Sequence, residues 1–165
     1  MSDFGSVVYT SADGVGTIEF EHPASNSLPE KLLEDIANCV DSAGIDDDCT
    51  AIVLRSAGNR AFCAGASFDE LMAIENEEQG LAFFSGFSKV ILAIRRSPKF
   101  VICRIQGKAV GGGVGIAAAA DYALATNHSS VKLSELAIGI GPFVVGPAVE
   151  RKMGLSTFQS LAIDA

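Results

Sequence analysis

Two short stretches of small residues, each standing between a β-rich run and a helical run, are where this sequence could do chemistry. They are Ala64-Gly65-Ala66 and Gly111-Gly112-Gly113. Glycine has no Cβ, so a second backbone or a ligand can approach closely. The first N–H groups of a following helix lack intrahelical partners and carry the positive end of its dipole, which suits an oxyanion or a phosphate. If the two loops lay side by side, one N–H from each could hold a single oxygen whose negative charge develops during reaction. The glycines also fit a bland role, a tight turn that lets an alanine-rich helix pack closely on a sheet. A third reading is dinucleotide binding. Gly113-Val114-Gly115-Ile116-Ala117-Ala118 fits GxGxxA, and Glu135 follows Gly115 by 20 residues; the two extra glycines ahead of the pattern spoil the usual tight exit from the strand.

The other reactive residues are sparse. Cys63 adjoins the first loop, but no histidine is near it in sequence, which favours a buried structural cysteine over a nucleophile. Cys39, Cys49, Cys63 and Cys103 show no CxxC spacing, and the only histidines are His22 and His128, so no metal site is expected. Asp46-Asp47-Asp48 lacks the alternating ligands of a calcium loop. Asp69, Glu70 and Glu78 suit helix starts and surface.

The elements that must position the two loops follow from periodicity. Val7–Thr10 and Val15–Phe20 flank an Asp13-Gly14 turn and predict a hairpin. Ser27 with Glu30 predicts a capping box for a helix running to about Ser42, with Leu32, Leu33, Ile36 and Val40 on one face. Thr50–Ser56 is a strand, followed by the first loop and a helix over Phe68–Glu78. Gln79–Arg96 is a long amphipathic helix with Phe83, Phe84, Phe87, Val90, Ile91 and Ile94 at helical spacing, ended by Ser97-Pro98. The strand Val101–Ile105 leads into the glycine turn and the alanine helix. Asp121–Ala125 and Ser130–Leu133 are short strands, Ser134–Ile140 is loop, and Pro147–Met153 and Thr157–Ala162 are helices. Repeated strand, loop and helix define an α/β class, with no linker or domain boundary.

Composition bounds the rest. Hydrophobic residues make up 48% of 165 and charged residues 19%, a core-rich chain the size of one domain. Net charge is −8, with no basic run and no Trp, which argues against nucleic-acid or membrane-surface partners. The N-terminus has no apolar leader and no run is long enough for a membrane span, so the expected setting is the reducing cytoplasm.

Several ordered motifs together resemble the crotonase (enoyl-CoA hydratase/isomerase) superfamily. They are Ala61-Phe62-Cys63-Ala64-Gly65-Ala66-Ser67-Phe68, then Ile105-Gln106-Gly107-Lys108-Ala109-Val110-Gly111-Gly112-Gly113 with Ala120-Asp121-Tyr122 after it, then Lys132-Leu133-Ser134-Glu135 followed by Gly139. Pro23-Ala24-Ser25-Asn26-Ser27-Leu28 extends the match towards the start, so it spans almost the whole chain. The resemblance implies a spiral of β-β-α repeats forming one core domain over 1–165, and an acyl-CoA thioester bound as substrate, with no separate cofactor. It makes the N–H groups of Ala66 and Gly112 the oxyanion donors and Glu135 the proton-transfer residue, and it places coenzyme A against Ala24, Ala64, Ala66 and Phe68. Arg55, Arg60 and Lys108 are near enough in sequence to meet its phosphates. Hydratases of this group use two glutamates, and the position of the first is Gly115 here. One carboxylate suffices to carry a proton from the α- to the γ-carbon, so the pattern leans towards 3-enoyl-CoA to 2-enoyl-CoA isomerisation. Hydration of a 2-enoyl-CoA, or acyl-CoA binding without catalysis, are the alternatives. The resemblance stops before the C-terminal helical region of relatives, and it implies a homo-oligomer, a trimer or a dimer of trimers.

Overall fold

The computed structural model describes residues 4–164. Residues 1–3, on which the reading of the N-terminus began, and Ala165 lie outside them. A five-stranded sheet has the order β1-β2-β3-β4-β6, formed by Ser6–Ala12, Gly14–Glu21, Cys49–Ser56, Phe100–Ile105 and Tyr122–Ala125. β1 runs antiparallel to β2 and every other pair is parallel. The β1–β2 connection is the expected Asp13-Gly14 turn, with φ of 51° and 79°. Such a turn needs left-handed backbone at both central positions and matches the twist of the two strands. Each parallel pair requires a crossover, and the crossovers supply the helices and the two loops of interest.

Alternation along the strands sends Ile18, Phe20, Ile52, Leu54, Val101 and Cys103 to one side, where all are buried. Helix α1 (Glu30–Ile45) brings Leu32, Leu33, Ile36 and Val40 onto that side, and α3 (Glu77–Arg96) brings Phe87, Val90, Ile91 and Ile94. Each fully buried side chain of this size contributes roughly 1.5–3 kcal/mol. The opposite face is open. It carries Val8, Phe100, Tyr122 and Leu124, all about half exposed, and an ion pair of Arg55 with Glu19 at 2.8 Å. Arg55 is therefore committed to the far face of the sheet and is not a partner for a phosphate at the glycine loops.

Two local expectations are corrected. Helix α1 starts at Glu30 behind Pro29 with no side-chain cap. Ser27 Oγ instead meets His22 Nδ1 at 3.2 Å, and Glu30 N–H donates to Glu70 Oε2 at 2.9 Å. A side chain from a later helix thus satisfies the donor that a capping box would have used. The helix expected over Phe68–Glu78 is only α2 (Phe68–Met72), and α3 already begins at Glu77. Asn76, in extended conformation, accepts a hydrogen bond from Gln79 N–H through Oδ1 and restarts the helix.

β5 (Lys108–Val110) leaves the main sheet and pairs in parallel with β7 (Ser130–Lys132). Helix α4 (Gly112–Ala119) follows β5 and leads back to β6. The strands on either side of the glycine turn thus belong to different sheets, and the GxGxxA stretch is not part of a βαβ unit within one sheet. This removes the dinucleotide reading. After a 3₁₀ turn at Leu136–Ile138, helices α5 (Gly146–Met153) and α6 (Leu155–Ile163) complete the described chain.

Candidate active site

The first loop is built by side chains that substitute for regular pairing. Asn26, buried and at φ 57°, accepts from His22 N–H and donates to the carbonyls of Ala57 (3.1 Å) and Ala61 (3.0 Å). Gln106 Nε2 donates to Ser56 Oγ at 2.8 Å and to the Ala61 carbonyl at 3.3 Å. Residues 57–61 are thereby fixed from both sides. Phe62 N–H and Cys63 N–H then share the Lys108 carbonyl, and Val110 N–H returns to the Cys63 carbonyl at 2.9 Å, so the two glycine loops lie against each other. Leu28 N–H donates to the Gly65 carbonyl at 2.9 Å and ties the N-terminal loop to the same place.

Each prospective donor follows a glycine with positive φ. Gly65 has φ 98° and precedes Ala66; Gly111 has φ 51° and precedes Gly112. This backbone favours glycine and rotates the next peptide out of the path of the strand. Close approach makes the same demand, since a methyl group on Gly65 would lie 3.3 Å from the Val110 carbonyl oxygen. Gly111 N–H is used by the Lys132 carbonyl at 2.8 Å, which anchors the turn and leaves Gly112 as the first residue of α4.

Both loops open onto one cleft of about 260 Å³. Ala64, Ala66, Phe68, Gly112 and Glu135 all line it. Ala24 does not; it is exposed on the N-terminal loop, its carbonyl accepting from Ser27 N–H. Arg60 and Lys108 are exposed as well. Cys63 is buried, its Sγ accepting from Gly65 N–H at 3.4 Å, and burial pushes its thiol up to about 12. A thiol so held is neutral at physiological pH and acts as packing, as its surroundings in sequence indicated.

Glu135 sits at the head of the 3₁₀ turn with its carboxyl against the second loop. A methyl group on Gly111 would lie 3.4 Å from Glu135 Oε1. Oε2 is buried and has no hydrogen-bond partner. Burial raises the carboxyl above its ordinary range, and the backbone amides of Glu135 and Ser134 pull it partway back. A carboxylate with an unused oxygen, held beside a turn of backbone donors in an apolar cleft, is suited to taking up and returning a proton.

Two features of the cleft were not identified from the sequence. The Phe87 ring lies directly on Gly112, where a methyl group would come within 2.1 Å of Cε1, so this glycine is required by packing. At Gly115 an added methyl group would lie 2.6 Å from Val145 Cγ1 and 3.2 Å from Ile91 Cδ1. The space that a second carboxylate would need is filled by two buried aliphatic side chains. The aromatic stripe of α3 was legible as core spacing, but nothing marked Phe87 as the residue beneath the glycine turn, and the Val145 contact crosses 30 residues of chain.

Fold and cleft together define an α/β protein of the crotonase class. Its sequence matches the enoyl-CoA hydratase/isomerase family over residues 10–164, and the chain belongs to that family. Human mitochondrial methylglutaconyl-CoA hydratase is 32% identical over 85% of this chain and 41% of its own length. The trans-2-decenoyl-[acyl-carrier-protein] isomerase of Streptococcus mutans is 27% identical over 98% of this chain and 63% of its own. Among solved structures, a Legionella pneumophila protein assigned to the enoyl-CoA hydratase/isomerase (crotonase) group superposes with a TM-score of 0.91 at 32% identity, covering 98% of this chain and 63% of the other. The chain spans about half the length of the first curated relatives it matches.

Proposed function

We propose that this chain binds an acyl-CoA thioester in the cleft and moves a double bond from the 3- to the 2-position of the acyl group. The observation that carries this reading is the pairing of one carboxylate, Glu135 beside the glycine turn, with a filled space at Gly115. Removing a proton from the α-carbon leaves negative charge on the thioester oxygen. In the proposed pose the N–H groups of Ala66 and Gly112 hold that oxygen, and donors aimed where charge develops lower the barrier without reorganising. Glu135 takes the α-proton as carboxylate and returns it at the γ-carbon as acid, so no water enters the balance. Ala64 and Phe68 at the mouth, with the exposed Ala24 beyond it, would rest against the coenzyme A moiety. The setting we infer is the cytoplasm, with all four thiols free. Self-association is expected, since Phe143 and Ile163 are 85% and 74% exposed.

Reversible hydration of a 2-enoyl-CoA is the second reading, favoured by the hydratase activity named for the human relative. It requires a water activated by some group other than a carboxylate at residue 115. The experiment that separates them is product analysis of the protein and its Glu135→Gln variant with a 3-enoyl-CoA and with a 2-enoyl-CoA. Double-bond migration lost in the variant supports the isomerase. A 3-hydroxyacyl product would replace it with the hydratase, and no product from either substrate would leave a binder.

A further inference from the structure

The walls of the cleft limit the acyl group. Phe83 and Phe87 stand one helical turn apart on α3, with Phe84 packed edge-on against Phe83 at a centroid distance of 5.1 Å and 87° between rings. Leu71, Ile138 and Val144 line the same cleft. Among the described residues lining the cleft none is Lys, Arg or His, and Glu135 is the single charged group. A second carboxylate on the acyl chain would lose its hydration without meeting a cation, and would share an apolar slot with Glu135.

We propose that the acyl group taken here is an uncharged hydrocarbon chain laid along the Phe83–Phe84–Phe87 stripe, and that thioesters of dicarboxylic acids are excluded. The inference rests on the acyl-CoA reading of the same cleft, but it concerns affinity and does not depend on which reaction follows. It sets this chain apart from the human relative, whose named substrate carries a second carboxylate.

Binding tests it without turnover. Butanoyl-, pentanoyl- and hexanoyl-CoA are titrated calorimetrically against free coenzyme A, together with glutaryl-CoA, in which a carboxylate replaces the far end of the hexanoyl chain. Affinity should rise about fourfold per methylene, the ordinary worth of burying one, and glutaryl-CoA should bind about tenfold or more weakly than hexanoyl-CoA. Phe84 is 36% exposed at the rim, so Phe84→Lys places a cation there with little disturbance to the core. That variant should lose affinity for hexanoyl-CoA and gain it for glutaryl-CoA, with an unchanged far-ultraviolet spectrum. Glutaryl-CoA binding as well as hexanoyl-CoA would overturn the inference, as would affinities independent of chain length or a Phe84→Lys variant with wild-type preferences; each leaves the acyl-CoA reading standing. A rising series without isomerase activity supports the inference and removes the isomerase. If neither free coenzyme A nor any thioester binds, the acyl-CoA reading falls and takes the inference with it.

Discussion

Gly115→Ala decides whether the space at residue 115 is closed. Two effects of opposite sign compete. Gly115 lies inside α4, where alanine is preferred to glycine by about 1 kcal/mol. Against this, the new methyl group would lie 2.6 and 2.8 Å from two atoms of Val145 and 3.2 Å from Ile91 Cδ1. Both neighbours are under 10% exposed, so neither can swing into solvent. Overpacking of this kind costs about 1–3 kcal/mol, and two constrained partners favour the upper half of that range. The net expectation is a loss of about 1–2 kcal/mol, or a melting temperature lower by roughly 2–8 °C for a domain of this size. Thermal unfolding followed by circular dichroism measures it. In a Val145→Ala background the 2.6 Å contact with Cγ1 is gone while the 2.8 Å contact with Cβ remains, so the same substitution should cost less, a coupling of about 0.5–3 kcal/mol between contacting residues. A Gly115→Ala protein melting at or above the parent temperature would refute the steric reasoning, and with it the main support for single-carboxylate chemistry.

Glu135→Gln should lower double-bond migration by about 10²–10⁴-fold, and wild-type activity should rise with pH through a midpoint above the ordinary glutamate range, read from initial rates across pH. The same raised carboxyl means the folded state binds the proton more tightly than the unfolded one, so its contribution to stability declines as pH climbs from the ordinary glutamate range through the raised value. Urea unfolding should therefore find Glu135→Gln more stable than the parent at neutral pH, the difference vanishing in acid. Asn26→Ala leaves the Ala57 carbonyl without its donor and puts alanine at φ 57°, a loss of about 2–4 kcal/mol by urea titration. Alkylation near neutral pH should modify the partly buried Cys39 first, with Cys63 and Cys103 reacting only as the protein unfolds.

The strands of the main sheet, the long helix α3 and the two glycine loops were legible because each rests on local signals: β-branched runs, helical spacing of apolar residues, and glycine between unlike segments. What was not legible depended on contacts between distant parts. Ser27 and Glu30 satisfy the local rule for a capping box, yet Glu70, 40 residues on, supplies the acceptor for Glu30 N–H. The break between α2 and α3 hangs on Asn76 preferring a cap to a helix interior. Arg55 is close in sequence to the first loop, but strand alternation turns it to the far face, where Glu19 holds it. Within the cleft, Glu135 owed its proton-transfer role to the family resemblance alone; its burial and its unused Oε2 come from the fold around it. Phe87 and Val145 shape the cleft from helices whose periodicity speaks only of burial.

The anchor of the second loop has a consequence for the order of events during synthesis. Gly111 N–H donates to the Lys132 carbonyl, and β5, bridged to Cys63 on one side, lacks its second neighbour until β7 is made. A nascent chain emerging at about 5–20 residues per second can pair β1 with β2 early, and add β3 and β4 as they appear. The glycine turn stays unset until residue 132 is free, and Glu135 follows within a second. An incomplete chain therefore presents a formed sheet without a set glycine turn, and the cleft is completed in one late step.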